Sequence, residues 1–445
     1  IRDRDGHMTT EPVTAADEVV DLCRELIRID STNYGDGSGP GEREAAGYVT
    51  DRLVEVGLEP QVLESGPRRS NVVVRIPGSD PDRADALLLH GHLDVVPADP
   101  KQWRYDPWAA DIGDGCVWGR GAVDMKDMDA MLLAVVRDRV RHGRLPARPI
   151  VLCFTADEEA GGLMGAHWLV DEHPDLFAGC TEAVGEVGGF SVTLPTGRRT
   201  YLLQTAEKGI AWLTVETEGT EGHGSLPHRD NAVAELSRAL ARVADHPWPT
   251  MVTPTVEALL RLVEAQTGER PDPDDVDALR AVLGSVGRIV RATTRHTANP
   301  TVVRAGQKTN QVPRTARAQI DGRFLPGHRD DFLATLDDLL GPRTHIIDSH
   351  LDVALETPFE GPTVDAMSAA LAESDPGSTV APYMLFGGTD AKAFSRLGIR
   401  GYGFSPLRLP ADLDFPALFH GVDERVPVDA LTFGARTLDR FLDLC

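Results

Sequence analysis

Ala86-Leu87-Leu88-Leu89-His90-Gly91-His92-Leu93-Asp94 decides the fold. Its four leading residues form a short apolar run behind a Pro/Asp-rich turn, the signature of a buried strand. The run stops at two histidines and an aspartate, and in layered α/β proteins functional side chains gather at the carboxyl ends of strands. Outward from this stretch, strands and helices alternate. Apolar residues at helical spacing (Val19, Val20, Leu22, Cys23, Leu26, Ile27) predict an amphipathic helix over 15–29. A glycine-rich loop at 33–41 precedes a second helix over 42–56, and 71–76 is another strand. Downstream come a helix over 127–142, a strand over 150–155 and a helix over 165–172. The alternation predicts an α/β domain with a mainly parallel central sheet flanked by helices.

Near Gln204 the texture changes. A strand over 210–217, a helix over 231–243, strands over 301–303 and 316–320, a helix over 331–340 and a strand over 345–355 make a β-α-β-β-α-β order. That order predicts a small α+β, ferredoxin-like domain inserted into the first. The segment 247–299, rich in Pro, Asp and Arg, is too long for a plain loop and is expected to carry helices of its own, for example over 276–286. The boundaries read as 8–204 with 357–445 for the outer domain and 205–356 for the insertion. Residues 1–7 precede Met8 and read as an expression remnant.

Composition narrows the function. The 445 residues carry a net charge of -24, with 41% hydrophobic and 26% charged residues. So acidic a chain has no basic surface to displace counterions, which excludes nucleic acid as the expected partner. Its apolar runs are strand-sized, so no membrane association is expected. The five cysteines (Cys23, Cys116, Cys153, Cys180, Cys445) are odd in number and show no paired spacing. That predicts a cytoplasmic protein without a disulfide framework, and any metal must be held by His and carboxylates.

Several short motifs bear on the chemistry. In His92-Leu93-Asp94 a carboxylate two residues on can orient a metal-binding imidazole, although an isolated His-x-Asp is as readily structural. Asp124 follows Gly119-Arg120-Gly121 and is suited either to offer one oxygen to each of two cations or to cap the helix behind it. Glu158 and Glu159 end the strand over 150–155; adjacent carboxylates repel unless a cation sits between them or the turn is solvated. Glu186 and His420 add a carboxylate and an imidazole further on.

Together, Gly91-His92-Leu93-Asp94-Val95-Val96-Pro97, Gly119-Arg120-Gly121 through Asp124-Met125-Lys126, Thr155-Ala156-Asp157-Glu158-Glu159, Gly185-Glu186 and His420 resemble the dinuclear zinc metallopeptidases. This is the family of aminoacylase, acetylornithine deacetylase, succinyl-diaminopimelate desuccinylase and glutamate-releasing carboxypeptidase. The resemblance covers the chain from about Val13 onward. It implies that His92 and Glu186 bind one Zn2+, that Glu159 and His420 bind the other, and that Asp124 bridges them; Co2+ or Mn2+ are possible substitutes. It makes Asp94 the partner that orients His92, and Glu158 the general base acting on a metal-bridged hydroxide. Two Zn2+ against three carboxylates and one hydroxide form a near-neutral cluster that tolerates burial.

The resemblance also makes the inserted domain a lid and the contact of a homodimer. There His223, in Gly222-His223-Gly224-Ser225, would stabilise the oxyanion, often in the second subunit's site; capping the next helix is its bland alternative. Asn310, Arg323 and the turn Gly387-Gly388-Thr389-Asp390 would hold the substrate's free carboxylate, with Gly388 and Thr389 supplying N–H groups. Departures from the family pattern are Asp127, where glycine is common, and the long segment 247–299. The implied activity is hydrolysis of an amide in a small N-acyl amino acid or short peptide. A Glu at position 186 tilts the reading toward a deacylase, with a dipeptidase or carboxypeptidase as the alternative. A catalytically silent metal-binding homologue is the alternative of another class, and the intact set of ligands and base argues against it.

Overall fold

The computed structural model describes residues 13–445, so the reading of residues 1–7 falls outside the described residues. The chain divides into two compact units. The first runs to Leu203 and adds Phe359–Ala381 and Ala393–Cys445; the second is Gln204–Pro358 with Pro382–Lys392.

In the first unit, six neighbouring strands of the large sheet run in the order Gln61–Gly66, Arg69–Ile76, Ile150–Thr155, Ala86–His92, Cys180–Gly185 and Arg400–Gly403. The pairings of Ala86–His92 with Ile150–Thr155 and Cys180–Gly185, and of Cys180–Gly185 with Arg400–Gly403, are parallel; the first two strands pair antiparallel. Every residue of Ala86–His92 and Ile150–Thr155 is buried, which is why these segments read as unbroken apolar runs rather than alternating ones. Helix Ala15–Arg28 buries Val19, Leu22, Cys23, Leu26 and Ile27 on one face. It starts at Thr14, whose N–H and hydroxyl both donate to Asp17 at 2.9 and 2.6 Å. Helix Lys126–Arg141 is buried from Lys126 to Arg139, with an apolar middle over 130–136 and buried charged residues towards both ends. The mixed α/β architecture with a mainly parallel sheet is the one expected.

The second unit holds a four-stranded antiparallel sheet in the order Thr297–Ala305, Thr315–Phe324, Gly209–Glu218, Thr344–Asp352. Buried residues alternate along Thr315–Phe324, and they pack with Leu236, Val243, Phe332 and Leu336 of helices Ala232–Asp245 and Arg329–Leu340. The chain order of these elements is the ferredoxin-like β-α-β-β-α-β. The segment 247–299 contains helices Pro254–Thr267, Val276–Leu283 and Gly287–Ala292.

Candidate metal centre and substrate-binding residues

Parallel strands end side by side, so residues distant in sequence converge where they stop. His92 ends one strand, Glu158 and Glu159 follow another, and Glu186 follows a third. His92 Nε2 lies 3.1 Å from Asp124 Oδ1, 3.6 Å from Glu186 Oε2 and 3.9 Å from Glu158 Oε2. His420 Nε2 lies 3.2 Å from Asp124 Oδ2 and 3.1 Å from Glu159 Oε2. Asp124 thus turns one oxygen to each histidine. Two groups result, His92–Asp124–Glu186 and Asp124–Glu159–His420, each with ligand atoms within 4.8 Å of one another.

The bland alternatives fail on geometry. Asp124 does not cap the following helix, whose N-cap is Met125 without a side-chain cap bond. The Glu158–Glu159 turn is not freely solvated either, since the two side chains are only 16% and 5% exposed.

The backbone is bent to achieve this convergence. Asp157, Val187 and His420 all adopt left-handed conformations (φ 66°, 56° and 57°). For a β-branched valine that is costly, and such residues persist where the surroundings over-determine them. Asp94 organises the strand ends: His92 Nδ1 contacts its backbone oxygen at 3.0 Å, and its carboxylate accepts the N–H groups of Glu158 and Glu159, both at 3.1 Å. Asn33 donates to the same carboxylate at 2.8 Å and to Asp157 at 3.1 Å. Asn33 and Glu424, whose carboxylate clamps the Asp124 turn, are supporting residues that motif reading missed. Glu424 was visible only as an acidic residue four positions after His420.

The electrostatics call for cations. Burial pushes the Glu186 carboxyl up to about 8, and burial with the Asp124 charge raises Glu159. Hydrogen bonds that the His420 imidazolium donates to Asp124 and Glu159 push His420 up to about 10. Burial works against a charged His92, yet Glu186, Asp124 and Asp94 together raise it well above the ordinary histidine value. Glu159 Oε1 is buried with no hydrogen-bond partner among the described residues. Carboxylates crowded around two imidazoles, one oxygen left over, form a donor set that fits divalent metal ions. The departure at Asp127 is buried in the first turn of its helix, where desolvation pushes the carboxyl up to about 8.

The other expected site residues lie in the second unit. His223 pairs with Gln311 in a two-residue ladder, and Gly224 N–H donates to the Asn310 carbonyl at 2.9 Å, so His223 and Asn310 are neighbours. His223 Nδ1 contacts Ser225 Oγ at 2.8 Å; the following helix is capped by Asn231 instead. Arg323, on the central strand Thr315–Phe324, donates to Asp321 at 2.7 and 3.3 Å and lies over the Trp212 ring at 5.8 Å. Thr389 differs from expectation. Its N–H and hydroxyl both point inward to Glu207, so within the glycine turn it serves as an anchor.

Fold and site define a metal-dependent hydrolase of amide bonds. Residues 88–444 match Peptidase family M20/M25/M40, and the chain belongs to that family. It is 26% identical to the N-fatty-acyl-amino acid synthase/hydrolase PM20D1 of Xenopus tropicalis, over 93% of this chain and 83% of that protein. It is likewise 26% identical to aminoacylase-1A of Rattus norvegicus, over 94% and 93% of the two chains. The fold is shared with the M20 family metallo-carboxypeptidase Sso-CP2 of Sulfolobus solfataricus, with TM-score 0.74, 19% identity, and 96% and 99% of the chains covered.

Proposed function

We propose that this protein is a deacylase that removes the acyl group from small N-acyl amino acids, using two Zn2+ ions. The observation that carries the reading is Asp124, with one oxygen 3.1 Å from His92 and the other 3.2 Å from His420. His92 and Glu186 would hold one ion, Glu159 and His420 the other, and Asp124 would bridge. The bound ions supply Lewis acidity, which makes water acidic near neutral pH and polarises the scissile carbonyl.

The chain's own residues do the rest. Glu158 accepts a proton from the attacking water and returns it to the leaving amine. Asp94 holds His92 in orientation and, through the Glu158 N–H, fixes where the base stands. His223 donates to the oxyanion that develops on the substrate carbonyl. Asn310, Arg323 and Gly388 receive the free α-carboxylate; Arg323 offers it the donors that Asp321 does not take.

Glu at position 186 and the similarity to acyl-amino-acid hydrolases support a deacylase over a dipeptidase. A homodimer through the inserted unit and a cytoplasmic location complete the proposal. The location rests on the five cysteines, odd in number and without paired spacing. No helix of the described residues is long and apolar enough to cross a membrane. The test is a hydrolysis panel of N-acetyl, N-succinyl and longer N-acyl amino acids beside dipeptides, with metal analysis. Fastest turnover of an N-acyl amino acid is expected; a preference for dipeptides moves the protein to the peptidase reading, and activity on esters alone refutes the substrate class.

A further inference from the structure

We propose that Glu207 is a positioning residue for substrate recognition, holding the Gly387-Gly388-Thr389-Asp390 turn in the shape that receives the substrate's carboxylate. The inference rests on the reading of Gly388 as part of that carboxylate site. Glu207 ends the strand Arg199–Glu207 and is fully buried. Its Oε1 accepts the Thr389 hydroxyl at 2.6 Å and Gln204 Nε2 at 2.9 Å. Its Oε2 accepts the Thr389 backbone N–H at 3.1 Å and faces Lys392 Nζ at 3.2 Å. A carboxylate is acceptor-only with about four lone-pair sites, so this set of donors saturates it.

Lys392 is equally buried and satisfied. Besides Glu207, its ammonium donates to the carbonyls of Lys208 and Val353 at 2.8 and 2.7 Å. Gly388 sits against this lysine: a Cβ there would come within 2.4 Å of Lys392 Cε and 3.0 Å of Ile210 Cδ1. Both residues of the turn are therefore set by the Glu207–Lys392 pair, Thr389 through hydrogen bonds and Gly388 through close contact. A buried ion pair adds little stability over an apolar pair of similar volume. What it does here is fix a loop in place before ligand arrives, and pre-ordered donors spare the binding step an ordering cost.

The isosteric change Glu207→Gln separates geometry from volume, because its NH2 would face one of the donors that Glu207 now accepts. The probes are the N-acetyl amino acid that the metal-loaded wild-type protein turns over fastest and the C-terminal carboxamide of the same compound. Wild type is expected to show a lower KM for the carboxylate than for the carboxamide. Glu207→Gln should raise KM for the carboxylate about tenfold, with kcat changed less than about twofold and the carboxamide unaffected. Glu207→Asp should recover part of the loss. Thr389→Val, which deletes one donor without uncovering a charge, should move KM in the same direction by less, and supplies the reading if the Gln variant does not fold. Equal KM for both probes in wild type overturns the carboxylate site itself. Discrimination that persists in both variants, or a fall in kcat at unchanged KM, overturns the role of Glu207.

Discussion

Glu424 Oε1 accepts the backbone N–H of Asp124 at 3.2 Å, across 300 positions of sequence. The same carboxylate takes the N–H groups of Val123 and Gly121 and pairs with buried Arg120 at 2.5 Å. The proposed bridging residue is thus aimed by the segment that also carries His420. Glu424→Ala leaves Arg120 without its carboxylate and should cost about 3–5 kcal/mol of stability in denaturant unfolding. It should also weaken metal binding by about 10- to 100-fold in a titration; wild-type affinity in a folded variant would rule out the clamp.

Glu158 lies beside His92 but belongs to neither ligand group. Glu158→Gln is therefore expected to lower kcat by about 10²- to 10⁴-fold while metal content stays at the wild-type level. Loss of metal together with activity would mean that Glu158 is a ligand instead.

His420 belongs to only one of the two groups, whereas His92, Asp124 and Glu186 form the other without it. Elemental analysis of His420→Ala should find one cation fewer per chain. Unchanged stoichiometry would contradict the two-site assignment.

Gly91 stands between the two histidines with no space for a side chain. A Cβ there would lie 2.2 Å from Asp129 Oδ1 and 2.9 Å from Met125 Cε, both buried. Gly91→Ala should destabilise the fold by about 1–3 kcal/mol and, by shifting His92, reduce metal affinity. A variant as stable as wild type would show that the strand end yields easily.

His296 tests the second unit by pH. Burial, with Lys208 nearby, pushes its pKa down to about 4, and its Nδ1 accepts the Leu325 N–H at 3.1 Å. Between about pH 4 and the ordinary histidine value near 6.5 the unfolded chain binds the extra proton, so stability rises with pH through that window and falls on acidification. The contribution amounts to about 3 kcal/mol at most. His296→Asn, which retains an acceptor for Leu325, should flatten this part of the stability–pH curve; an unchanged slope would assign it to other groups.

Much of the site was legible because its signals are local. Leu87-Leu88-Leu89 followed by His-Gly-His, and the run 150–155 followed by two glutamates, each announce a buried strand and the chemistry at its end within about ten residues. The helix over 15–29 was readable for the same reason, its buried residues recurring at helical spacing. Less legible were strand Gln61–Gly66, mostly exposed or half-buried, and the inward turn of Thr389, whose partner Glu207 is 182 residues away. Asn33 was hidden in a glycine-rich loop because hydrogen bonds to two distant carboxylates leave no periodic trace.

What the chain alone determined was the kind of residue at each strand end, and with it the class of chemistry, since side-chain type and local patterning are properties of neighbouring residues. The tertiary structure decided that Asp124 turns one oxygen to His92 and the other to His420, that Asp94 and Glu424 hold the backbone around these groups, and that Thr389 faces inward. Those relationships depend on angles and contacts between segments far apart in sequence, which exist only once the sheet has brought its strand ends together.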